Sequence, residues 1–367
     1  MNYHSKTSRL IEIFQGDLAG ERFQGEEYLP SSQRLAALYS ASRNTIRRML
    51  AILEKDGVLE RRENRRFVLH RQPPVQPSRE AVSRRGVSIA FLYSGSSDHN
   101  IVQLTRGIEA YTAERDLKLH TFADYHSHDS ILNLLRRGLP EGIEGILVVG
   151  HPIPAYAEAV NRLADAGVPI VLIGERGSCR CSSVAGDDFS GTFSATSALI
   201  RKYDRPACFI GPPANVDERY RAFRRAMLDA GYLEDLEDRI LVLKPALDEP
   251  AHWDMQEKML LPARLARPFL SRQKLPASIV CGNDYIAYGV YEAAAELELK
   301  IGTDLAVVGF GDMPFARRLK PALSSIYVDV FRMGYQAAWL LDRLISRDIS
   351  APQHMLMSAE LVVRDSF

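Results

Sequence analysis

The chain lacks net charge, long apolar runs, cysteine pairs at metal spacing and the signatures of common enzymes, and each absence excludes something. Lys+Arg and Asp+Glu both number 46, so bulk charge neither selects nor excludes a nucleic-acid partner, and the distribution of charge has to decide. No run approaches the roughly eighteen consecutive apolar residues of a membrane-spanning helix, so no membrane segment is expected. The opening Met1-Asn2-Tyr3-His4-Ser5-Lys6 leads into a polar amphipathic stretch instead of an apolar signal core, from which a cytoplasmic location is expected. The four cysteines are Cys179, Cys181, Cys208 and Cys281. Cys179 and Cys181 lie close together, but no second Cys/His pair accompanies them at zinc spacing, so free reduced thiols are expected, with no metal and no cofactor. There is no P-loop, no His-Glu-x-x-His, no Gly-x-Ser-x-Gly and no Gly-x-Gly-x-x-Gly after a strand. Gly309 to Gly311 follow a strand without opening a phosphate-binding helix, and the chain is expected not to be an enzyme.

What is present divides in two. Residues 71–80 (Arg-Gln-Pro-Pro-Val-Gln-Pro-Ser-Arg-Glu) are rich in proline and polar side chains and read as an exposed linker. The expected division is a smaller domain at 1–70, a linker at 71–85 and a larger domain at 86–367.

The first domain reads as helices followed by a hairpin. Leu10, Ile11, Ile13 and Phe14 share one helical face. Ser31 caps a helix with Leu35, Ala36 and Leu38 as its apolar positions, and Ser42 caps another with Ile46, Met49, Leu50 and Leu53. Residues 58–61 and 66–69 are short strand-like runs around a polar tip. On the second capped helix Arg43 and Arg47 stand i, i+4 on one outward face, flanked by Asn44, Thr45 and Arg48. Arg can donate two bonds to guanine, Asn can pair with adenine and Thr can reach a phosphate or a methyl group. Arg61, Arg62, Arg65 and Arg66 around Asn64 would lie along a phosphate ribbon. Taken singly, such arginines usually form a solvated face; placed directly after a capped helix, they favour DNA.

After the linker, apolar runs at 87–93, 146–149, 170–173, 208–210, 278–280 and 306–310 alternate with helical patterns such as 103–115, 155–166 and 285–297. Repeated βα units imply parallel sheets covered by helices, and the number of units implies two lobes with a cleft between them. The fold class is α/β: an N-terminal winged helix (α+β) plus a two-lobed domain with parallel sheets.

Two resemblances refine this reading. Leu29-Pro30-Ser31, Leu35-Ala36, Ser42-Arg43-Asn44-Thr45-Ile46-Arg47, Leu53-Glu54, Gly57-Val58-Leu59 and Phe67-Val68 resemble the GntR-type winged helix-turn-helix. The resemblance implies operator contact by Ser42, Arg43, Asn44, Thr45 and Arg47, by Gln33 and Arg34, and by Arg62, Asn64 and Arg65 in the wing. The chain departs from that pattern at Ser32-Gln33, where the family has Glu-Arg, and in the wing, where Asn64 and Arg66 replace two glycines.

The larger region is similar to the LacI/GalR-type, periplasmic-binding-protein-like sensor. The matching blocks include Gly107-Ile108-Glu109, Val168-Pro169-Ile170, Glu218-Arg219, Asn283-Asp284-Tyr285-Ile286-Ala287-Tyr288-Gly289, Val307-Val308-Gly309-Phe310-Gly311-Asp312 and a closing run from Glu360 to Ser366. The similarity implies an N-lobe at about 86–186 and 328–357 and a C-lobe at about 187–327 and 358–367. The combined pattern resembles the arabinose-repressor type of chimera.

For the ligand, the resemblance points to Arg219, Asn283 and Trp253, each with a plainer reading: an ion pair with Asp217, a helix N-cap and core packing, respectively. Strand-end position adds Ser94, Tyr125, His151 and Glu175, although solvated loop residues are commoner at such places. Gly174, Gly311 and Val328 stand where sugar-responsive relatives carry two carboxylates and an amide, so either neighbours such as Glu175 and Asp312 take over those contacts or the effector is less hydroxyl-rich than a simple sugar. The expected function is a DNA-binding transcription regulator, a repressor, whose operator affinity is set by a sugar or sugar-like effector bound between the lobes. Expected partners are duplex operator DNA, the effector and a second copy of the chain as a homodimer. The second reading is a cytosolic small-molecule binding protein without specific DNA function.

Overall fold

The computed structural model divides the chain into two compact units, Met1–Val82 and Ser83–Phe367. The residues it describes are 14, 29–39, 41–55, 59–61, 67–69, 86–94, 99–124, 129–138, 140–150, 154–174, 178–212, 217–232, 234, 236–243 and 255–367.

In the first unit, helix α1 (Ser32–Leu38) starts where Ser31 Oγ accepts the Arg34 amide at 3.3 Å. Helix α2 (Arg43–Lys55) starts where Ser42 Oγ accepts the Thr45 amide at 3.1 Å. Both caps satisfy N–H groups that the first turn of a helix leaves open. Phe14, Leu29, Leu35, Ile46, Met49 and Leu50 form the shared core, with Tyr39 edge-on to Phe14 at 5.5 Å. Leu38 departs from expectation: at 43% exposure it ends α1 on the solvent side of that core. Strands β1 (Leu59–Arg61) and β2 (Phe67–Leu69) pair antiparallel, Leu59 opposite Leu69 and Arg61 opposite Phe67.

The second unit contains two six-stranded sheets. The first has the order β13-β7-β6-β5-β3-β4, from β3 (Ser88–Ser94), β4 (Lys118–Asp124), β5 (Ile143–Val149), β6 (Ile170–Ile173), β7 (Ser182–Gly186) and β13 (His354–Met357), all parallel. Helices α3 (His99–Glu114), α4 (Asp129–Arg137) and α5 (Pro154–Asp165) connect its strands. The second sheet has the order β14-β12-β11-β10-β8-β9, from β8 (Ala207–Gly211), β9 (Ile240–Val242), β10 (Ala277–Cys281), β11 (Leu305–Phe310), β12 (Ser324–Val328) and β14 (Ala359–Val362). It is parallel except for β14, which runs antiparallel to β12. Helices α6 (Asp188–Tyr203), α7 (Glu218–Asp229), α8 (Met255–Leu270) and α9 (Asp284–Glu296) belong to this lobe, and α10 (Val330–Ile345) returns to pack on the first sheet.

The chain therefore passes between the lobes three times: after β7, after β12 and between β13 and β14. The central strands are buried on both faces, as the continuous apolar runs require: β6, β8, β10 and β11 are buried throughout. Helices α3 and α10 meet backbone to backbone. A Cβ on Gly107 would overlap the Phe331 carbonyl, and one on Gly334 would overlap the Leu104 carbonyl. Tyr111 donates to the buried Asp342 carboxylate at 2.7 Å across the same contact. Among the described residues no helix is long and apolar enough to cross a membrane, and no group of His, Cys, Asp and Glu is placed to hold a metal ion.

Candidate functional site

Two surfaces are candidates, one in each unit. In the first unit, the Ser42 cap fixes where α2 begins, and that start places Arg43, Asn44, Arg47 and Arg48 in solvent while Ile46, Met49 and Leu50 face the core. Four donor-bearing side chains thus share the exposed side of one helix start, next to free peptide N–H groups that favour anions. Gln33 of α1 accepts a hydrogen bond from the Arg43 guanidinium through Oε1, so the neighbouring helix orients that arginine. The Thr45 hydroxyl lies 2.7 Å from Ser42 Oγ, which gives Thr45 a part in the cap and makes it less available to an outside partner than Asn44. Arg34 is exposed on α1. Arg62, Asn64 and Arg65 lie outside the described residues.

In the second unit a cleft of ≈ 1050 Å³ opens between the two sheets. One wall is formed by Asn100, Gly174, Ser183, His354 and Leu356, the other by Asp188, Asp217, Arg219, Asn283 and Phe310. Three helix starts form the second wall. Asp187 caps α6 (Ser190 amide, 3.0 Å), Asp217 caps α7 (Arg219 amide, 2.8 Å) and Asn283 caps α9 (Ile286 amide, 2.9 Å).

Arg219 lines the cleft and is held from three sides. Its Nε and Nη2 grip the Asp217 carboxylate, Nη1 donates to the Gly282 carbonyl at 2.6 Å, and the guanidinium stands 5.0 Å from the centre of the Phe310 ring. Arg219 therefore pairs with Asp217 and also lines the cleft. Asn283 likewise has two parts: its Oδ1 caps α9 while the residue lines the cleft.

Asp312 is placed differently from expectation. Gly311 and Asp312 both turn through positive φ (114° and 43°). That turn buries the Asp312 carboxylate against Arg317 at 2.9 Å and Arg364 at 2.6 Å, and Asp312 is not among the cleft-lining residues. Ser94 closes β3, and only its backbone is described. Tyr125, His151, Glu175 and Trp253 lie outside the described residues. Gly174, Gly311 and Val328 do line the cleft. Gly174 and Gly311 have φ of 97° and 114°, which explains why no carboxylate-bearing residue stands there: L side chains rarely adopt that backbone.

Several cleft residues had no place in the sequence reading. Burial pushes the Asp188 carboxyl up to about 6; Arg219 opposes that rise, and Asp217, Asp187 and Glu218 add to it. Asp284 is fully buried, accepts the Ser325 hydroxyl and the Met313 amide, both at 2.6 Å, and is likewise pushed to about 6, chiefly by burial. Ser183 Oγ and His354 Nδ1 lie 2.9 Å apart and tie β7 to β13 at the opposite wall. The sequence signal for the acidic set was the pairing of a capping residue with an acid at each helix start: Asp187-Asp188, Asp217-Glu218 and Asn283-Asp284.

Comparison with known proteins gives a match within each unit. Residues 6–69 match the bacterial regulatory proteins of the gntR family, and residues 198–367 match the periplasmic binding protein-like domain. The arabinose metabolism transcriptional repressor of Geobacillus stearothermophilus is 27% identical, over 97% of this chain and 95% of its own. The HTH-type transcriptional repressor PurR of Haemophilus influenzae is 22% identical, over 76% of this chain and 81% of its own. Among solved structures, a complex of the transcriptional regulator CelR with cellobiose superposes with a TM-score of 0.64 at 18% identity, covering 92% of this chain and 100% of that one. The transcription regulator CcpA of Lactococcus lactis gives a TM-score of 0.64 at 18% identity, over 77% and 99%. At these identities the solved structures speak to the fold.

Proposed function

We propose that this chain, which matches the gntR family over residues 6–69 and the periplasmic binding protein-like domain over residues 198–367, is a transcription regulator that represses transcription from a specific operator until a small polyol-like effector enters the cleft. The observation that carries this is the exposed start of α2. Arg43, Asn44 and Arg47 stand out from a helix whose register is fixed by the Ser42 cap and whose other face is the unit's core. That arrangement suits base-edge contact in the major groove. Arg34 and Gln33 on α1, and Arg62, Asn64 and Arg65 in the wing, are the supporting contacts.

The effector contacts in this reading are Arg219 and Asn283 from the described wall, with Ser94, Tyr125, His151, Glu175 and Trp253 retained from the sequence. Closure of the lobes on the ligand changes the geometry of a homodimer and so its grip on two half-sites. A dimer of this kind reads a roughly palindromic site. The CelR structure, which contains cellobiose, and the arabinose repressor are consistent with a carbohydrate-like ligand.

The test is selection from a pool of random DNA duplexes by the full chain. Enrichment of one inverted-repeat sequence, bound with a steep dependence on salt, is expected. A pool that emerges without sequence enrichment would overturn the regulator reading in favour of a binding protein with no specific DNA function.

A further inference from the structure

We propose that the effector carries a protonated amine alongside its hydroxyls, which makes the ligand class an amino polyol and excludes phosphorylated or acidic sugars. This rests on the reading of the cleft as the effector site. The charge pattern of the cleft wall carries it.

Three helices, α6, α7 and α9, begin at that wall. Helix starts attract anions, because their peptide N–H groups point outward with a partial positive charge. A wall of three such starts would suit a phosphate or a carboxylate. Here the chain fills each one with its own groups. Asp187, Asp217 and Asn283 accept the open N–H groups, and the next residue in each case is an acid: Asp188, Glu218 and Asp284.

The cations of the wall are committed as well. Arg219 is turned to Asp217, and Arg221 pairs with Glu218 at 3.0 Å. Asp284 takes the Ser325 hydroxyl and the Met313 amide. Asp188 has the loosest of these pairings: Arg219 Nε stands 3.9 Å from its carboxylate, at the outer edge of ion-pair range. Gly186 keeps that carboxylate close against β7, since a Cβ there would come within 2.6 Å of Asp188 Oδ1. Burial pushes the Asp188 carboxyl up, Arg219 opposes the rise, and the neighbouring Asp217, Asp187 and Glu218 add to it.

Among the described residues that line the cleft, Asp188, Asp217, Glu218 and Asp284 stand against Arg219 and Arg221. The facing wall brings no carboxylate, lysine or arginine among its described lining residues, which include Asn100, Ser183, His354, Met333 and Leu356. An anion entering this cleft would meet surplus negative charge while lobe closure removed water. An ammonium would pair with Asp188 more closely than Arg219 does, and Asn283 and Ser183 line the same cleft for hydroxyls.

The experiment is calorimetric titration and thermal shift of the full chain with matched probes: D-glucosamine and D-galactosamine, their parent hexoses and the hexose 6-phosphates. The amines should raise the melting temperature and bind about ten- to a hundredfold tighter than the parents, the range of one charge-assisted hydrogen bond. Asp188→Asn should erase that preference. Leu356→Arg, at a side chain 68% exposed on the cleft and safe for folding, should weaken amine binding by adding positive charge. Equal or tighter binding of a parent hexose or a phosphate, or no shift from either amine, overturns the amine assignment. If a parent hexose binds and Leu356→Arg alters its affinity, the cleft reading survives that failure. If an amine binds and neither variant changes its affinity, it binds outside the cleft, and the cleft reading falls as well.

Discussion

Arg219→Ala should cost the sensor stability as well as ligand response, and a second substitution separates the two effects. Asp217 is 3% exposed, so its charge depends on Arg219, which grips it through Nε and Nη2. Removing one partner of a buried ion pair typically costs about 3–5 kcal/mol. Two features reduce that here. Arg219 is 22% exposed, and the Asp217 carboxylate still accepts the backbone amide of residue 219. A loss of about 2–3 kcal/mol follows, which lowers the melting temperature of a unit this size by roughly 3–5 °C. Asp217→Asn keeps the helix cap, because asparagine caps as well as aspartate, and it removes the stranded charge. Arg219→Ala/Asp217→Asn should therefore recover at least half of the lost stability while remaining unable to respond to ligand. Thermal unfolding of the full chain, read with and without effector, measures both. A single variant within about 1 °C of wild type, or a double variant no more stable than the single one, would refute this account of the pair.

Other substitutions probe other links. Ser42→Ala removes the acceptor of the Thr45 amide and should destabilise the reader by about 1 kcal/mol, measured by denaturant unfolding. Gln33→Ala releases Arg43 and should weaken binding to the selected duplex several-fold more than binding to random duplex, measured by fluorescence anisotropy; an equal loss on both would assign Gln33 a general role. Gly107→Ala forces α3 away from the Phe331 carbonyl and should cost about 3 kcal/mol or more, visible as a lowered melting temperature with DNA affinity kept. Asp284 has a folded-state value of about 6 against 3.8 in its ordinary state, so the folded chain holds the extra proton between those values. Its contribution to stability therefore falls as pH rises through that window and stays low above 6. Asp284→Asn should flatten that part of the stability–pH curve; an unchanged slope would contradict the assignment.

The parts of the fold legible from sequence were those with strong periodicity. The continuous apolar runs at β3, β5, β6, β8, β10 and β11 and the capped helices α2 and α9 announce themselves, because strands buried on both faces and amphipathic helices leave unambiguous patterns. Strands β4 and β13 carry no such run. They lie at the two edges of the first sheet, where no residue of β13 and no described residue of β4 is fully buried. Strand β7 opens with Ser182 and Ser183, both buried but hydrogen-bonded to the β13 segment, a partner about 170 residues away that no local pattern reveals. The site shows the same division. The outward face of α2 followed from helical spacing alone. Arg219 and Asn283 needed a family resemblance, and their double duty as ion pair, cap and cleft wall required three dimensions. Asp312 was misplaced because one left-handed turn at Gly311-Asp312 swings its carboxylate to Arg317 and Arg364, and sequence spacing does not record φ.

The most direct test of the account is the affinity of the full chain for its selected duplex, compared between wild type and the Arg43→Ala/Arg47→Ala double variant at one fixed salt concentration. Each bidentate arginine–base contact contributes about 1–3 kcal/mol of discrimination. The account predicts a loss of about thirtyfold or more on the selected duplex, a much smaller loss on random duplex, and effector binding in the cleft unchanged. Equal affinity of wild type and variant for the selected duplex would contradict it, because the exposed start of α2 would then not be what reads the operator.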